Sequence, residues 1–421
     1  MVTATIKLGT TLSAQVLTTV LGTTIAQAIP ILIMPVLTRL YTPADFGVFS
    51  LYVALATLCS VIATARYEMA VMLPKSDRTA MNLVALSVMI SAIMAVFFLC
   101  IISLFHSQIA SLTGNTAIST WLFIIPVSVF FTGVFQTLSY WSSRKQRFAP
   151  IATAKIYQGV ALSGVQLALS IPKTIHAGLI IGHISGAMAS VIYLFRAIWK
   201  QEKKRISCIS KARVMSCFIR YKNFPVYSLW GALFDNAAVQ MPIFMLSKFY
   251  DTELTGIFSL TFRVLNLPAL LISVSLSQVL FQKISHLYNT KSPTLHRLIV
   301  KIFFILLALS LPFVFIIFFW GESLFTFVLG DEWALSGKYA SMVIFAVTIR
   351  FAVSPLSTVL ALNHNVKLGF LWQFTYFCTI VTTLYIAAKY DMSIFVLAFV
   401  IHEVILYLFY FYLILIGAKR H

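Results

Sequence analysis

Charge is scarce in this chain of 421 residues: only 10% of it is Asp, Glu, Lys or Arg, against 60% hydrophobic residues. A soluble surface needs far more polar coverage, and no single core hides this much apolar side chain, so a mean hydropathy of +0.93 excludes a water-soluble globular protein. Cysteine is equally sparse. Cys59, Cys100, Cys208, Cys217 and Cys378 fall mostly in apolar stretches without metal or CxxC spacing, which excludes a disulfide framework and a thiol redox site. There is no HExxH, no phosphate-binding P-loop and no G-x-S-x-G, and no Ser, His and Asp gather at one membrane face. Strand-like alternation is missing as well. The stretch "LIVKIFFILLALSLPFVFIIFFW" at 298–320 does not alternate, which excludes a barrel.

What the sequence does contain is apolar runs of roughly 20 residues, the length of a helix that crosses hydrocarbon, and they recur about twelve times. They lie near 12–37, 46–65, 80–105, 118–140, 150–171, 176–198, 223–247, 255–281, 298–320, 338–362, 366–388 and 394–416. The expected fold class is therefore an all-α integral membrane protein of about twelve transmembrane helices. Its first span is long and Pro-bearing with no small-residue cleavage site before residue 38, so it is expected to be retained rather than removed as a signal peptide.

A net charge of +19 points to nucleic acid in a soluble protein, but here the distribution decides. Assigning each loop a side in turn, one side collects Lys7, Arg66, Lys75, Arg78, Arg144, Lys145, Arg147, the run from Lys200 to Lys222, Lys283, Lys291, Arg297, Lys367, Lys419 and Arg420. The other side receives Arg39, Lys173, Lys248, Lys338 and Lys389. By the positive-inside rule both termini are cytoplasmic, and the basicity sets topology instead of binding nucleic acid. Trp141 and Trp199 fall at inner helix ends and Trp121 and Trp320 at outer ones, where amphipathic rings meet headgroups. The stretch "KQEKKRISCISKARVMSCFIRYK" at 200–222 reads as a cytoplasmic linker between lobes 1–199 and 223–421. It is either a solvated connector or a site of attraction to anionic membrane lipids, at about 1 kcal/mol per basic residue.

One pattern repeats. "TRLYTPADFGVFSL" at 38–51 lies without gaps over "SKFYDTELTGIFSL" at 247–260, so that Tyr41 falls on Tyr250, 209 residues on. Each copy joins the first and second helices of a six-helix set, and six crossings return the chain to its starting side. The halves are therefore expected to form two parallel six-helix lobes. The lead helices also match in carrying proline: Pro30 and Pro35 in the first, Pro225 and Pro242 in the seventh, each expected to kink its helix.

Asp235, Arg263, Arg350 and Glu403 sit inside expected spans, where a charge costs about 2.5 to 3.5 kcal/mol. Facing lipid alone they would be too costly. They must turn toward one another, as Arg350 with Glu403 or Asp235 with Arg263, or toward a watery cavity where arginines attract an anion and carboxylates move with H+ or Na+. His183 and His402 lie at comparable depth as core hydrogen-bonding groups or proton carriers. At the inner mouth, "ARYEMAVMLP" at 65–74 sets Arg66 beside Glu68, as a local ion pair or as part of the same path.

"RYEMAVMLP", "LYTPADFGVFSLY" and "RYKNFPVYSLWGALFDNAAVQMP" together resemble the Wzx-type polysaccharide exporters. These belong to the multidrug/oligosaccharidyl-lipid/polysaccharide transporter superfamily, and the resemblance spans essentially the whole chain. It implies a MATE-like bundle of six plus six helices around a cavity. It also implies alternating access that flips an undecaprenyl-pyrophosphate-linked glycan, such as an O-antigen repeat unit, across a bacterial inner membrane. No cofactor and no covalent chemistry are implied; coupling to H+ or Na+ and contact with other polysaccharide assembly proteins are. Arg66, Arg263 and Arg350 would then face the anionic headgroup, with Asp235, Glu403, Glu68, His183 and His402 as coupling or cavity groups. A multidrug cation antiporter of the same superfamily would share the architecture but line its cavity with carboxylates and aromatics. A polymerase or ligase acting on lipid-linked sugars would need acid and base residues in a large outer loop, and the longest here, near 321–337, holds only Glu322, Asp331 and Glu332. A passive channel would need a Gly-rich re-entrant filter, which the sequence lacks.

Overall fold

The computed structural model describes residues 22, 24–170, 177–290, 294–361 and 366–419. Lys7, Lys173, Lys291 and Arg420 of the charge count lie outside them, as does the start of the first expected span. Every regular element among the described residues is helical. The long ones are α1 (Thr24–Leu40), α2 (Pro43–Ile62), α3 (Asp77–Leu112), α4 (Ile125–Arg144), α5 (Phe148–Ser170), α6 (Ala177–Ile206), α7 (Leu229–Phe249), α8 (Thr252–Asn289), α9 (Thr294–Leu329), α10 (Ala334–Val353), α11 (Val366–Ala387) and α12 (Met392–Lys419). A ten-residue helix, Lys211–Arg220, lies between α6 and α7.

Among the described residues, seven helices are long and apolar enough to cross a membrane, eight if the short helix before α4, bent from it by 53°, is counted with it. Apart from α4, which qualifies only with that short helix, the long helices outside the set are α1, α5, α7 and α8. They are also where the chain puts Gln27, Lys155, Gln158, Gln166, Asp235 and Arg263. By contrast α3, α9 and α12 expose Phe97, Leu104, Phe315, Phe319 and Ile405 as a lipid-facing surface.

Several expectations change in detail. The supposed outer loop 321–337 is mostly helix: α9 continues to Leu329, and Gly330, at φ 108°, turns the chain into a 3-10 turn at Asp331–Trp333. Pro225 lies in a π-helical turn, Phe224–Ser228, ahead of α7, whereas Pro242 is inside α7 and Pro30 and Pro35 are inside α1. A bend of 53° falls just before Pro126, at the start of α4. The α-helical part of the expected span 338–362 ends at Val353 and continues as a 3-10 helix, Ser354–Ala361. Pro355 contributes to the change, because it lacks the N–H that would continue the α ladder.

The chain forms two compact units, Met1–Tyr41 with Leu51–Asn236 and Thr42–Ser50 with Ala237–His421. In the first unit, small residues let helices close on one another. A Cβ on Gly133 would stand 1.9 Å from Ser91 Oγ, joining α4 to α3, and one on Gly159 would stand 2.6 Å from Ala26 O, joining α5 to α1. Around them Tyr67, Leu83, Leu86, Trp141 and Leu194 form a dry core.

In the second unit the repeated octets meet face to face. A Cβ on Gly47 would lie 1.9 Å from the carbonyl oxygen of Thr252, the first residue of α8. One on Gly256 would lie 1.8 Å from that of Pro43, the first residue of α2. Each copy's glycine therefore receives the other copy's helix start, an approach that only a residue without Cβ permits. The surrounding positions repeat their chemistry too. Ser50 Oγ and Ser259 Oγ each donate to the carbonyl of that glycine at 2.9 Å. Tyr41 Oη donates to Gln166 O near the end of α5, and Tyr250 Oη to Tyr390 O just past α11, both at 2.7 Å. The helix caps are built differently at equivalent positions. Thr42 and Asp45 exchange bonds as a capping box, with Thr42 N donating to Asp45 Oδ2 at 2.8 Å and Asp45 N to Thr42 Oγ1 at 3.3 Å. Asp251 Oδ1 alone accepts from Leu254 N at 2.7 Å.

Gly47→Ala and Gly256→Ala should each abolish monodisperse protein in detergent, measured by size-exclusion chromatography of a fluorescent fusion. Gly164→Ala, which meets nothing within 4 Å, should elute as the parent does.

Candidate functional site

Two clusters of intramembrane or near-membrane charge are built from side chains within single units. In the second unit, Arg350 lies in the last turn of α10, which runs on into the 3-10 helix Ser354–Ala361. Its guanidinium carbon stands 5.8 Å from the ring centre of Phe262 and 5.7 Å from that of Tyr407. Two cation–π contacts at about 0.5 to 2 kcal/mol each offset part of the roughly 2.5 to 3.5 kcal/mol cost of a mid-span charge. The side chain is half-buried, so it keeps access to its surroundings.

Glu403 lies eleven residues into α12, about 17 Å along the helix axis, and is only 1% exposed. Tyr376 Oη of α11 donates to its Oε1 at 2.5 Å, and His402 Nδ1 lies 3.8 Å from the same oxygen. The other nitrogen of His402, Nε2, is 3.0 Å from Thr379 Oγ1. Helical spacing explains the cluster. Trp372, Tyr376 and Thr379 share one face of α11, and Glu403, Tyr407 and Tyr410 share one face of α12. Trp372 stacks on Tyr376 at 5.0 Å and on Tyr410 at 3.9 Å. Glu403 thus draws its hydrogen bond from an aromatic hydroxyl, while Arg350 rests on aromatic faces.

In the first unit, the RYE segment forms a tight turn after α2. Ala65 at φ 47° and Arg66 at φ 65° both occupy the left-handed region, strained for non-glycine residues. The turn seats Tyr67 in the core, where its Oη donates to Phe218 O at 2.9 Å. It also buries Glu68, which accepts from Thr64 Oγ1 and lies 3.7 Å from Arg66 Nη1. Behind it the basic residues anchor the same face. Arg144 donates to the carbonyls of Val71 and Met72 at 3.2 Å and to Asp77 Oδ1 at 3.3 Å, and Arg147 donates to Glu202 Oε1 at 3.2 Å.

The remaining expected residues lie on α8, α7 and α6. Arg263 is exposed, eleven residues into α8, and Asp235 is half-buried in α7. His183 of α6 lies edge-on to Tyr52 at 5.8 Å. Lys155, half-buried in α5, was not singled out from the sequence. Its stripe, with Ala152 and Gly159 at helical spacing, is the one that meets α1.

This fold is that of the MATE transporters. A Vibrio cholerae MATE transporter, VcmN, superposes with a TM-score of 0.66 at 11% identity, covering 96% of each chain. A transporter of the same MOP superfamily from Pyrococcus furiosus, described as having a binding pocket of reverse polarity, gives 0.58 at 13%, covering 97% of this chain and 96% of the other. An inward-facing multidrug resistance MATE transporter gives 0.55 at 14%, covering 94% and 92%. No curated protein sequence matches. Residues 36–337 match the family described as polysaccharide biosynthesis protein. The chain belongs to that family and is a multi-pass membrane protein.

Tyr376→Phe should cost about 1 to 3 kcal/mol by leaving a buried carboxylate oxygen without its donor. In a Glu403→Leu background the same change should cost much less. Thermal unfolding of the four proteins in detergent measures the coupling, and additive effects would show that the bond contributes nothing.

Proposed function

We propose that this protein is a flippase that moves an undecaprenyl-pyrophosphate-linked oligosaccharide from the cytoplasmic to the periplasmic leaflet of a bacterial inner membrane. Membership of the polysaccharide biosynthesis family supports a glycan passenger, and the MATE-like fold supports transport by alternating access in place of enzymatic chemistry. Both termini are cytoplasmic in this reading, and lobes 1–199 and 223–421 move about the 200–222 linker.

The observation that carries the anionic passenger is the unequal exposure of opposite charges in the second unit. Arg263 is exposed and Arg350 half-buried on aromatic faces, while Glu403 is sealed and already hydrogen-bonded. The more accessible of these charges are positive, which favours an anionic passenger over the cation of a multidrug antiporter. Arg66, Arg263 and Arg350 would replace hydration around a diphosphate, which cannot enter hydrocarbon unaided. The lipid tail would remain in the bilayer. Glu403 with Tyr376, His402 and Thr379 would serve as the coupling group for H+ or Na+, and Asp235, His183 and Glu68 would complete the polar path.

Arg350→Ala should abolish surface polysaccharide in a complemented deletion strain while the protein stays inserted, and Arg350→Lys should restore part of it. Surface glycan profiles on gels measure both. Unchanged glycan with alanine would remove Arg350 from the path, and loss of cationic-drug efflux in its place would favour the antiporter.

A further inference from the structure

The ten-residue helix Lys211–Arg220 has two apolar stripes where packing alone needs one. Val214, Cys217 and Tyr221, at spacings of three and four, turn toward the first unit: Cys217 is 3% exposed, and Val214 and Tyr221 pack on the same core. Three further contacts fasten the helix. Ser210 N donates to Asn82 Oδ1 at 3.0 Å, Ser210 Oγ caps the first turn through Arg213 N, and Tyr67 stacks on Phe218 at 5.8 Å. The second stripe, Met215, Phe218 and Ile219, is 55%, 44% and 57% exposed. Nearby in the chain, Tyr227 at 74% and Trp230 at 56% add amphipathic rings of the kind that settle at the headgroup level. Lys211, Arg213, Arg220 and Lys222 are all exposed around that stripe.

We propose that this helix is an interfacial anchor whose Met215, Phe218 and Ile219 enter the headgroup boundary of the leaflet, with the four flanking cations bound to anionic phospholipid headgroups. Two features of the molecule select a bilayer as the occupant. The helix joins α6 to α7, so it is held at the membrane face, and its apolar residues are ringed by positive charge alone. A soluble protein partner would need acidic complementarity but would leave the interfacial rings without a purpose. The anchor also bears on transport through Tyr67. Phe218 O is the acceptor for Tyr67, so lipid binding at the helix bears on the strained turn that carries Arg66 and Glu68.

Hydrogen exchange of the intact protein in nanodiscs tests the assignment. Amides of 211–222 should exchange at least fivefold more slowly in phosphatidylglycerol-containing bilayers than in phosphatidylcholine alone, about the factor expected from 1 kcal/mol of attraction. The variant K211Q/R213Q/R220Q/K222Q should lose that difference while the rest of the chain exchanges as before. In the parent protein, raising the salt tenfold should also erase it, which keeps the test valid if the variant does not insert. Equal exchange in the two bilayers, slowing that ignores salt, or equal slowing by inorganic phosphate added to phosphatidylcholine discs would each overturn the proposal.

Discussion

A hydrocarbon layer offers no partner to a guanidinium, a carboxylate or a free backbone amide, so each must find one inside the protein or in water held by it. That constraint orders this molecule. Backbone groups are met by helices throughout the described residues. The few mid-span charges are met in three different ways. Arg350 has two rings, Glu403 has a tyrosine hydroxyl, and Arg263 is exposed. Gln27, Lys155, Gln166, Asp235 and Arg263 lie in helices that fall short of the length and hydropathy of the clear spans, while Arg350 and Glu403 lie inside two of those spans and the most apolar helices present phenylalanine and leucine outward.

The same constraint explains the internal repeat. Helices in lipid gain little from hydrophobic burial against one another, so close backbone approach has to supply the contact. Gly47 and Gly256 provide it reciprocally, with a serine three residues on bonding back to each glycine carbonyl. The octet is therefore repeated because one crossing needs the same small, closely fitting surface from both partners. Where the two copies differ, as in Thr42 with Asp45 against Asp251 alone, each still caps its helix.

Much of this was legible in the sequence, because length and hydropathy are direct readouts of the membrane. The spans, the helical class and the repeat were all visible there, as was the Arg66 and Glu68 pair. Tertiary features were less so. The partner of Glu403 is a tyrosine 27 residues earlier, although the aromatic spacing of Trp372 with Tyr376 and of Glu403 with Tyr407 was a usable signal. The left-handed turn at Ala65 and Arg66 leaves no mark in residue type, since neither is glycine or asparagine. The loop expected near 321–337 became helix because charge at a span's outer end does not stop a helix that glycine can still turn, as Gly330 does. Lys155 was hidden by the apolar run around it.

The account rests on mid-span charges that face water instead of lipid. Single cysteines at 263 and 350, compared with ones at 401 and 405 on the outward face of α12, test this most directly by their reaction with a membrane-impermeant thiol reagent in intact membranes opened to both sides. Labelling at 263 and 350 that is at least tenfold faster than at 401 and 405 is the predicted result. Equal protection at all four positions would mean no water reaches these charges and would contradict the account.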